Sequence, residues 1–156
     1  MVKALKYRFV QIAAFDIGAI MADWLKDRLP LLNMPSPVLA SIPLHPKRLR
    51  WRGFNQSELI TNQIAKKLSL PVHHDLLVRT IHKTPQADIT ERDERIKNAV
   101  DIFTVKTPPL NIRGGRGEIL LVDDVATTGA TFDTAACVLK KAGARKVIGF
   151  VFARGG

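Results

Sequence analysis

Two adjacent carboxylates, Asp123 and Asp124, directly follow an apolar run at residues 119–122. An apolar residue at every position is typical of a strand that is covered on both faces, so the run predicts a central strand of a parallel sheet. The carboxylates then lie at the carboxyl end of that strand, which is the edge where open α/β sheets bind ligands. Carboxylates accept hydrogen bonds, and we expect this pair to face donors such as sugar hydroxyls.

The segment after the carboxylates is small and rich in hydroxyl groups, and it leads into a predicted helix at residues 131–141. A helix that begins in this way offers free backbone N–H groups and the positive end of its dipole, both of which suit a phosphate. Gly129 is expected to let the backbone approach the ligand closely. The predicted phosphate-binding residues are Ala126, Thr127, Thr128, Gly129, Ala130 and Thr131.

A carboxylate pair would repel the same phosphate, so this strand end presents a diol-binding half and a phosphate-binding half, spaced as in a ribose 5-phosphate. Each feature taken singly has a structural explanation. Asp124 can cap a helix, and residues 127–129 can simply change the direction of the chain. The combination in a strand-to-helix context favours the ligand-binding interpretation.

Strands and helices alternate along the chain, which predicts a single α/β domain with a parallel sheet. Apolar spacing predicts a first helix at residues 7–29, closed by Pro30, and a buried strand at 38–42 followed by a basic loop. Asn55 is expected to cap a helix that Pro71 ends, with Glu58 as its capping-box partner. Further strands are predicted at 102–105, 118–122 and 147–153, and Gly143 is expected to end the 131–141 helix.

Length and composition limit the number of domains, the kinds of site and the class of partner. At 156 residues with 46% apolar content, the chain is predicted to form one domain (1–156), with an N-terminal helix (1–30) and a long flexible loop (79–98). The single cysteine, Cys137, excludes a disulfide framework or zinc site within the chain. No segment reaches membrane-spanning length, so a cytoplasmic protein is expected. A net charge of +10 favours an anionic partner, either a phosphorylated substrate or nucleic acid.

The segment at residues 121–131, LVDDVATTGAT, resembles the motif with which type I phosphoribosyltransferases bind 5-phosphoribosyl-1-pyrophosphate (PRPP). The resemblance implies that Asp123 and Asp124 are the catalytic-site carboxylates that hold the ribose 2′- and 3′-hydroxyls. It also implies that residues 126–131 take the 5′-phosphate.

A second resemblance rests on three further segments, which together with the first motif span nearly the whole chain. The segments IPLHPKRLRWRGFNQ (42–56), TPQA (84–87) and residues 92–98 are similar to the pattern of ComF/GntX-type proteins. That family is associated with phosphoribosyltransferase-like domains and, in some members, with the handling of single-stranded DNA in competence. Many members carry an N-terminal cysteine-rich zinc ribbon, which has no counterpart in this sequence.

The resemblance also assigns roles to two polar segments. The basic loop after the first strand is implied to hold pyrophosphate, with Lys47 and Arg48 as the nearest candidates, although a solvated basic turn is an alternative. The loop at 79–98 corresponds to the flexible loop that closes over PRPP, with Gln86, Arg92 and Arg95 as candidate contacts or ordinary surface residues. Trp51 and Phe54 are expected in the core rather than as a platform for a base.

The implied reaction is a phosphoribosyl transfer, in which a nitrogen nucleophile displaces pyrophosphate from C1 of PRPP. Mg²⁺ is the implied cofactor, held mainly by PRPP oxygens with no direct protein ligand assigned. The rival hypothesis is a non-catalytic module on the same fold that binds single-stranded DNA or acts in regulation. The sequence selects neither the accepting nucleophile nor an oligomeric state.

Overall fold

A computed structural model describes residues 2–35, 37–79, 102–108 and 117–155, with side chains from residue 10 onward. Four helices and five strands alternate through these ranges, and the expected α/β class is confirmed. The helices are α1 (Val2–Arg28), α2 (Pro46–Arg52), α3 (Gln56–Leu68) and α4 (Ala130–Lys141), with a 3₁₀ turn at Leu29–Leu32 after α1. The strands are β1 (Val38–Ser41), β2 (Leu77–Arg79), β3 (Phe103–Val105), β4 (Glu118–Ala126) and β5 (Lys146–Arg154).

A parallel three-stranded sheet in the order β1-β4-β5 forms the centre of the fold. Val38 pairs with Ile119 across β1 and β4, and Glu118 pairs with Lys146 across β4 and β5. Strands β2 and β3 form a separate antiparallel pair. Because β4 is central, its carboxyl end lies between the ends of β1 and β5, and the segments after all three strands meet at one edge.

Alternate side chains of the buried strands pack into two different hydrophobic cores. Ile119 and Leu121 of β4 face a core, here called the α4 core, that includes Leu139 of α4 and Phe103 of β3. Leu120 and Val122 face the opposite core, here called the α1/α3 core, that includes helices α1 and α3. The continuous apolar run in β4 therefore reflects burial on both faces, as the sequence predicted.

Helices α1 and α3 pack closely at Gly18. A Cβ atom at this glycine would lie 2.7 Å from Gln63 Cβ and 3.0 Å from the Ile60 carbonyl oxygen, so the contact requires a residue without a side chain. Helix α1 ends at Arg28, just before Pro30, as predicted, and the chain continues into the 3₁₀ turn, which has the proline near its start. None of the described helices has both the length and the apolar character needed to cross a membrane.

Two sequence predictions differ from the structure here, and one strand was missed. The basic segment expected to be a loop is helix α2, with His45 as its N-cap and Pro46 in its first turn, an arrangement that helix N-termini favour. Strand β2 was not predicted. Trp51, expected in the core, is 63% exposed on helix α2.

Candidate functional site

The acidic pair lies inside the last part of β4 rather than after it. Strand β4 continues to Ala126 because β5 extends equally far, and Asp123 pairs with Val151 while Val125 pairs with Ala153. Asp123 and Asp124 are both partly buried. The sheet backbone therefore fixes the carboxylates directly.

Each carboxylate has one oxygen that accepts hydrogen bonds within the protein. Asp123 Oδ1 accepts from Ser57 Oγ at 2.5 Å and from the backbone N–H of Asp124 at 3.0 Å. Asp124 Oδ1 accepts from the N–H of Val125 at 2.8 Å. All three of these donors reach an Oδ1 atom, and the two carboxyl groups also lie within hydrogen-bonding reach of each other, which raises the pKa of Asp123. The two Oδ2 atoms accept none of these three bonds and can accept hydrogen bonds from two hydroxyl groups.

Ser57 reaches Asp123 from the beginning of helix α3. Asn55 caps this helix as predicted, because its side-chain oxygen accepts from the Ser57 N–H at 3.2 Å. The Asn55 amide donates to the Ile42 carbonyl oxygen at 3.0 Å, directly after β1, and also to Glu58 at 3.3 Å. Sequence reasoning missed Ser57, since its partner lies 66 residues away and a serine in a helical first turn carries no local signal.

The ionisation of Asp123 differs from that of an ordinary aspartate. Burial is the main cause that raises the pKa of Asp123 to about 6. The hydrogen bond from Ser57 lowers this pKa, whereas the neighbouring charge of Asp124 raises it. The site therefore holds a carboxylate that is costly to keep charged when no ligand is present.

The hydroxyl-rich loop forms the other half of the site, at the beginning of α4. Gly129 is the helix N-cap, and no side chain caps it. Thr128 Oγ1 accepts from Ala130 N–H at 3.3 Å, while the N–H groups of Thr131 and Phe132 have no acceptor within the described residues. These groups line a small, open pocket, whose walls are Asp123, Val125, Ala126, Thr127, Thr128, Gly129, Ala130, Thr131 and Phe132. All six residues predicted to bind phosphate thus surround one pocket.

The predicted close approach of a ligand to Gly129 stays a prediction, and the backbone supplies a second reason for glycine at this position. A Cβ atom there would meet nothing within 4 Å, so close approach to other protein atoms does not require glycine. Its φ of +81° lies in the left-handed region, which residues with a side chain rarely adopt. Gly129 therefore sets the turn that aims the start of α4 at the pocket.

A basic group approaches the acidic pair from another direction. Lys47 and Arg48, the predicted pyrophosphate contacts, are exposed in the first turn of α2. Arg79, at the end of β2, is close enough to feel the charges of both Arg48 and Asp123, and it lies over the Phe103 ring at 5.6 Å. Burial, and then the charge of Arg48, lower the pKa of Arg79.

Sequence reasoning assigned Arg79 only to the start of a loop, because β2 is too short to show a strand pattern. The predicted contacts Gln86, Arg92 and Arg95, and the rest of the predicted flexible loop beyond Arg79, lie outside the described residues.

Three curated relatives match about three quarters of the chain. Competence protein F of Haemophilus influenzae is 30% identical over 118 residues, covering 74% of this chain and 49% of its own length. Competence protein ComFC of Bacillus subtilis is 38% identical over 118 residues, covering 75% and 44%. DNA utilization protein YhgH of Escherichia coli O157:H7 is 31% identical over 116 residues, covering 74% and 48%. This chain is ComF-like.

The ComF-like chain spans about half the length of these relatives, and no family model matches it. Among solved structures it is similar to TT1426 of Thermus thermophilus, with a TM-score of 0.51 and 16% identity over 88% of this chain and 72% of that one. A hypoxanthine phosphoribosyltransferase of Staphylococcus aureus gives a TM-score of 0.51 and 9% identity over 90% and 74%. At these identities the likeness is one of fold, and the type I phosphoribosyltransferase fold of the ComF-like chain is confirmed.

Proposed function

We propose that the ComF-like chain binds PRPP at the end of β4. The observation that supports this most directly is the pairing of two neighbouring carboxylates with a helix start that has glycine as its N-cap. Asp123 and Asp124 accept from the ribose hydroxyls. Residues 126–131 surround the 5′-phosphate with backbone N–H groups and threonine hydroxyls.

We further propose that the bound PRPP undergoes phosphoribosyl transfer, in which a nitrogen nucleophile displaces pyrophosphate from C1. The protein contributes position and electrostatics, since the carboxylates fix the diol and the loop fixes the phosphate. Lys47 and Arg48 stabilise the charge of the departing pyrophosphate, with Arg79 behind them. Gln86, Arg92 and Arg95 remain candidates for the loop that closes over the ligand and excludes water.

Mg²⁺ fits this site through the chemistry of its donors, because the available protein groups are carboxylate oxygens and Mg²⁺ prefers oxygen ligands. Bound there with PRPP, it would neutralise part of the pyrophosphate charge. The ion would be held mainly by oxygens of PRPP itself, and Asp123 and Asp124 keep their role towards the diol.

Calorimetric titration with PRPP and Mg²⁺ tests the site. The double variant Asp123→Asn/Asp124→Asn should lose most of the affinity, since it removes both anionic acceptors. A matched control, Asp23→Asn/Asp75→Asn, changes the same charge at exposed positions that pair with Lys67 and Lys106. Equal affinity in the double variant and the control would contradict the site. Turnover is tested separately by pyrophosphate release with ammonia and with a panel of bases.

The second candidate function is binding of single-stranded DNA. Helix α2 supports it by exposing Lys47, Arg48 and Arg50 beside Trp51, a combination of cations and an aromatic ring that suits a single strand. The names of the relatives, which refer to competence and DNA utilization, agree with this candidate. Binding should weaken steeply as salt increases, and a lack of binding at low salt would eliminate this candidate.

A further inference from the structure

Ser57 is fixed by hydrogen bonds on every side. It is 4% exposed, its N–H donates to Asn55 Oδ1 at 3.2 Å, and its carbonyl oxygen accepts from Thr61 Oγ1 at 2.5 Å. Asn55 is itself 2% exposed and is anchored to the Ile42 carbonyl oxygen at 3.0 Å. A buried polar chain thus runs from the end of β1, through the beginning of α3, to Asp123 in β4.

This chain of hydrogen bonds determines which oxygen of Asp123 faces the pocket. Ser57 Oγ, at 2.5 Å, and the Asp124 N–H, at 3.0 Å, both donate to Oδ1. Two donors from different directions restrict rotation of the carboxylate about its last bond, so Oδ2 is held away from them. A freely rotating carboxylate would lose conformational entropy when it binds a hydroxyl, whereas this one has already lost it.

We propose that Ser57 is a positioning residue for Asp123, which holds Oδ1 so that Oδ2 receives a ribose hydroxyl. The inference rests on the proposed binding of PRPP. Ser57 itself does not touch the ligand and acts only through the carboxylate. Its role is distinct from that of a helix cap, which Asn55 already performs.

The measured pKa of Asp123 depends on the charged groups around it. Asp124 is adjacent on β4 and acts on Asp123 through its charge and through a side-chain hydrogen bond, while Arg79 on β2 feels the charge of Asp123. The charge of Arg48 in α2 lowers the pKa of Arg79. Ser57 is the uncharged member of the group, so its removal changes the hydrogen bonding of Asp123 without changing any of these charges.

The experiment compares Ser57→Ala with Ser57→Thr, which restores a hydroxyl, and with the control Thr61→Val. The control removes another buried hydroxyl of α3 that bonds to the Ser57 carbonyl oxygen and not to Asp123. Titration of Asp123 is followed by carboxylate ¹³C NMR without ligand, with the signal assigned by Asp123→Asn. PRPP affinity at pH 7 with Mg²⁺ is measured by calorimetry.

Ser57→Ala should move the pKa of Asp123 further above its ordinary value, because a hydrogen bond to the charged form is lost, and should weaken PRPP binding roughly tenfold. Ser57→Thr should return both quantities towards those of the native chain. Thr61→Val should lower the stability of the protein but leave the pKa of Asp123 and the affinity for PRPP unchanged. If the alanine variant does not fold, Ser57→Cys gives the same comparison with a weaker donor.

An unchanged Asp123 titration in Ser57→Ala, or an equal shift in Thr61→Val, would overturn the positioning role. If the titration moves as expected but the native chain does not bind PRPP, the proposed ligand fails and the link between Ser57 and Asp123 stands. The two failures are therefore distinguishable.

Discussion

Replacing Asp123 by Asn should stabilise the protein without ligand above pH 7. Burial raises the pKa of Asp123 from 3.8 to about 6. At 1.36 kcal/mol per pH unit, this difference corresponds to about 3 kcal/mol against the charged form. Because the carboxylate is only partly buried, solvent screening reduces the expected gain to about 1–2 kcal/mol. Asn retains an oxygen that can accept from Ser57 and from the Asp124 N–H, so these bonds need not be lost.

The pH dependence of this effect has a defined sign. Between about pH 4 and 6 the folded state binds a proton that the unfolded state has released, so the native chain loses stability as pH rises through this window. The advantage of Asp123→Asn should therefore be near zero at pH 4 and fully developed above pH 7. Urea unfolding at pH 4 and pH 8 measures it, and at pH 8 the melting temperature should rise by roughly 2–8 °C.

The control for this prediction is Asp133→Asn, which makes the same charge change at an exposed position in the first turn of α4. A negative charge there favours the helix dipole, so this variant should lose about 0.3–1 kcal/mol rather than gain stability. If Asp123→Asn is no more stable than the native chain at pH 8, burial does not destabilise the charged form of Asp123 as argued. A gain of equal size at both pH values would also refute it.

Three further predictions concern binding and packing. The affinity for PRPP should fall by up to about tenfold per pH unit below pH 6, as Asp123 takes up a proton, and calorimetry of Asp123→Asn should lack this component. Gly129→Ala should cost about 1 kcal/mol in thermal unfolding, because φ is +81° there, and no loss would mean that the turn relaxes freely. Gly18→Val should cost about 1–3 kcal/mol through overlap with Gln63, and a stability equal to the native chain would show that α1 can shift away from α3.

The features that the sequence predicted best are continuous in the chain. The apolar run of β4, the acidic pair, the threonine loop and helix α4 follow one another, so each supports the interpretation of the next. The cap at Asn55 was also predicted, since capping depends on a few neighbouring residues.

The features that the sequence did not predict depend on contacts between distant segments. Ser57 reaches Asp123 across 66 residues, and Arg79 reaches the site from a three-residue strand that is defined by its pairing with β3. Helix α2 was missed for a different reason. Its N-terminal signal, histidine followed by proline, was present, but the basic residues after it suggested a loop.

The alternation of β4 has a consequence for how this chain can change in evolution. Ile119 and Leu121 belong to one core while Leu120 belongs to the other. Inserting or deleting one residue before Asp123 would exchange these faces and move the carboxylate by about 3.3 Å along the strand. The length of β4 is therefore constrained by both cores and, if PRPP binds as proposed, by the position of the carboxylates. Diversification should come through substitutions in β4 and through length changes outside it, which leave this spacing intact.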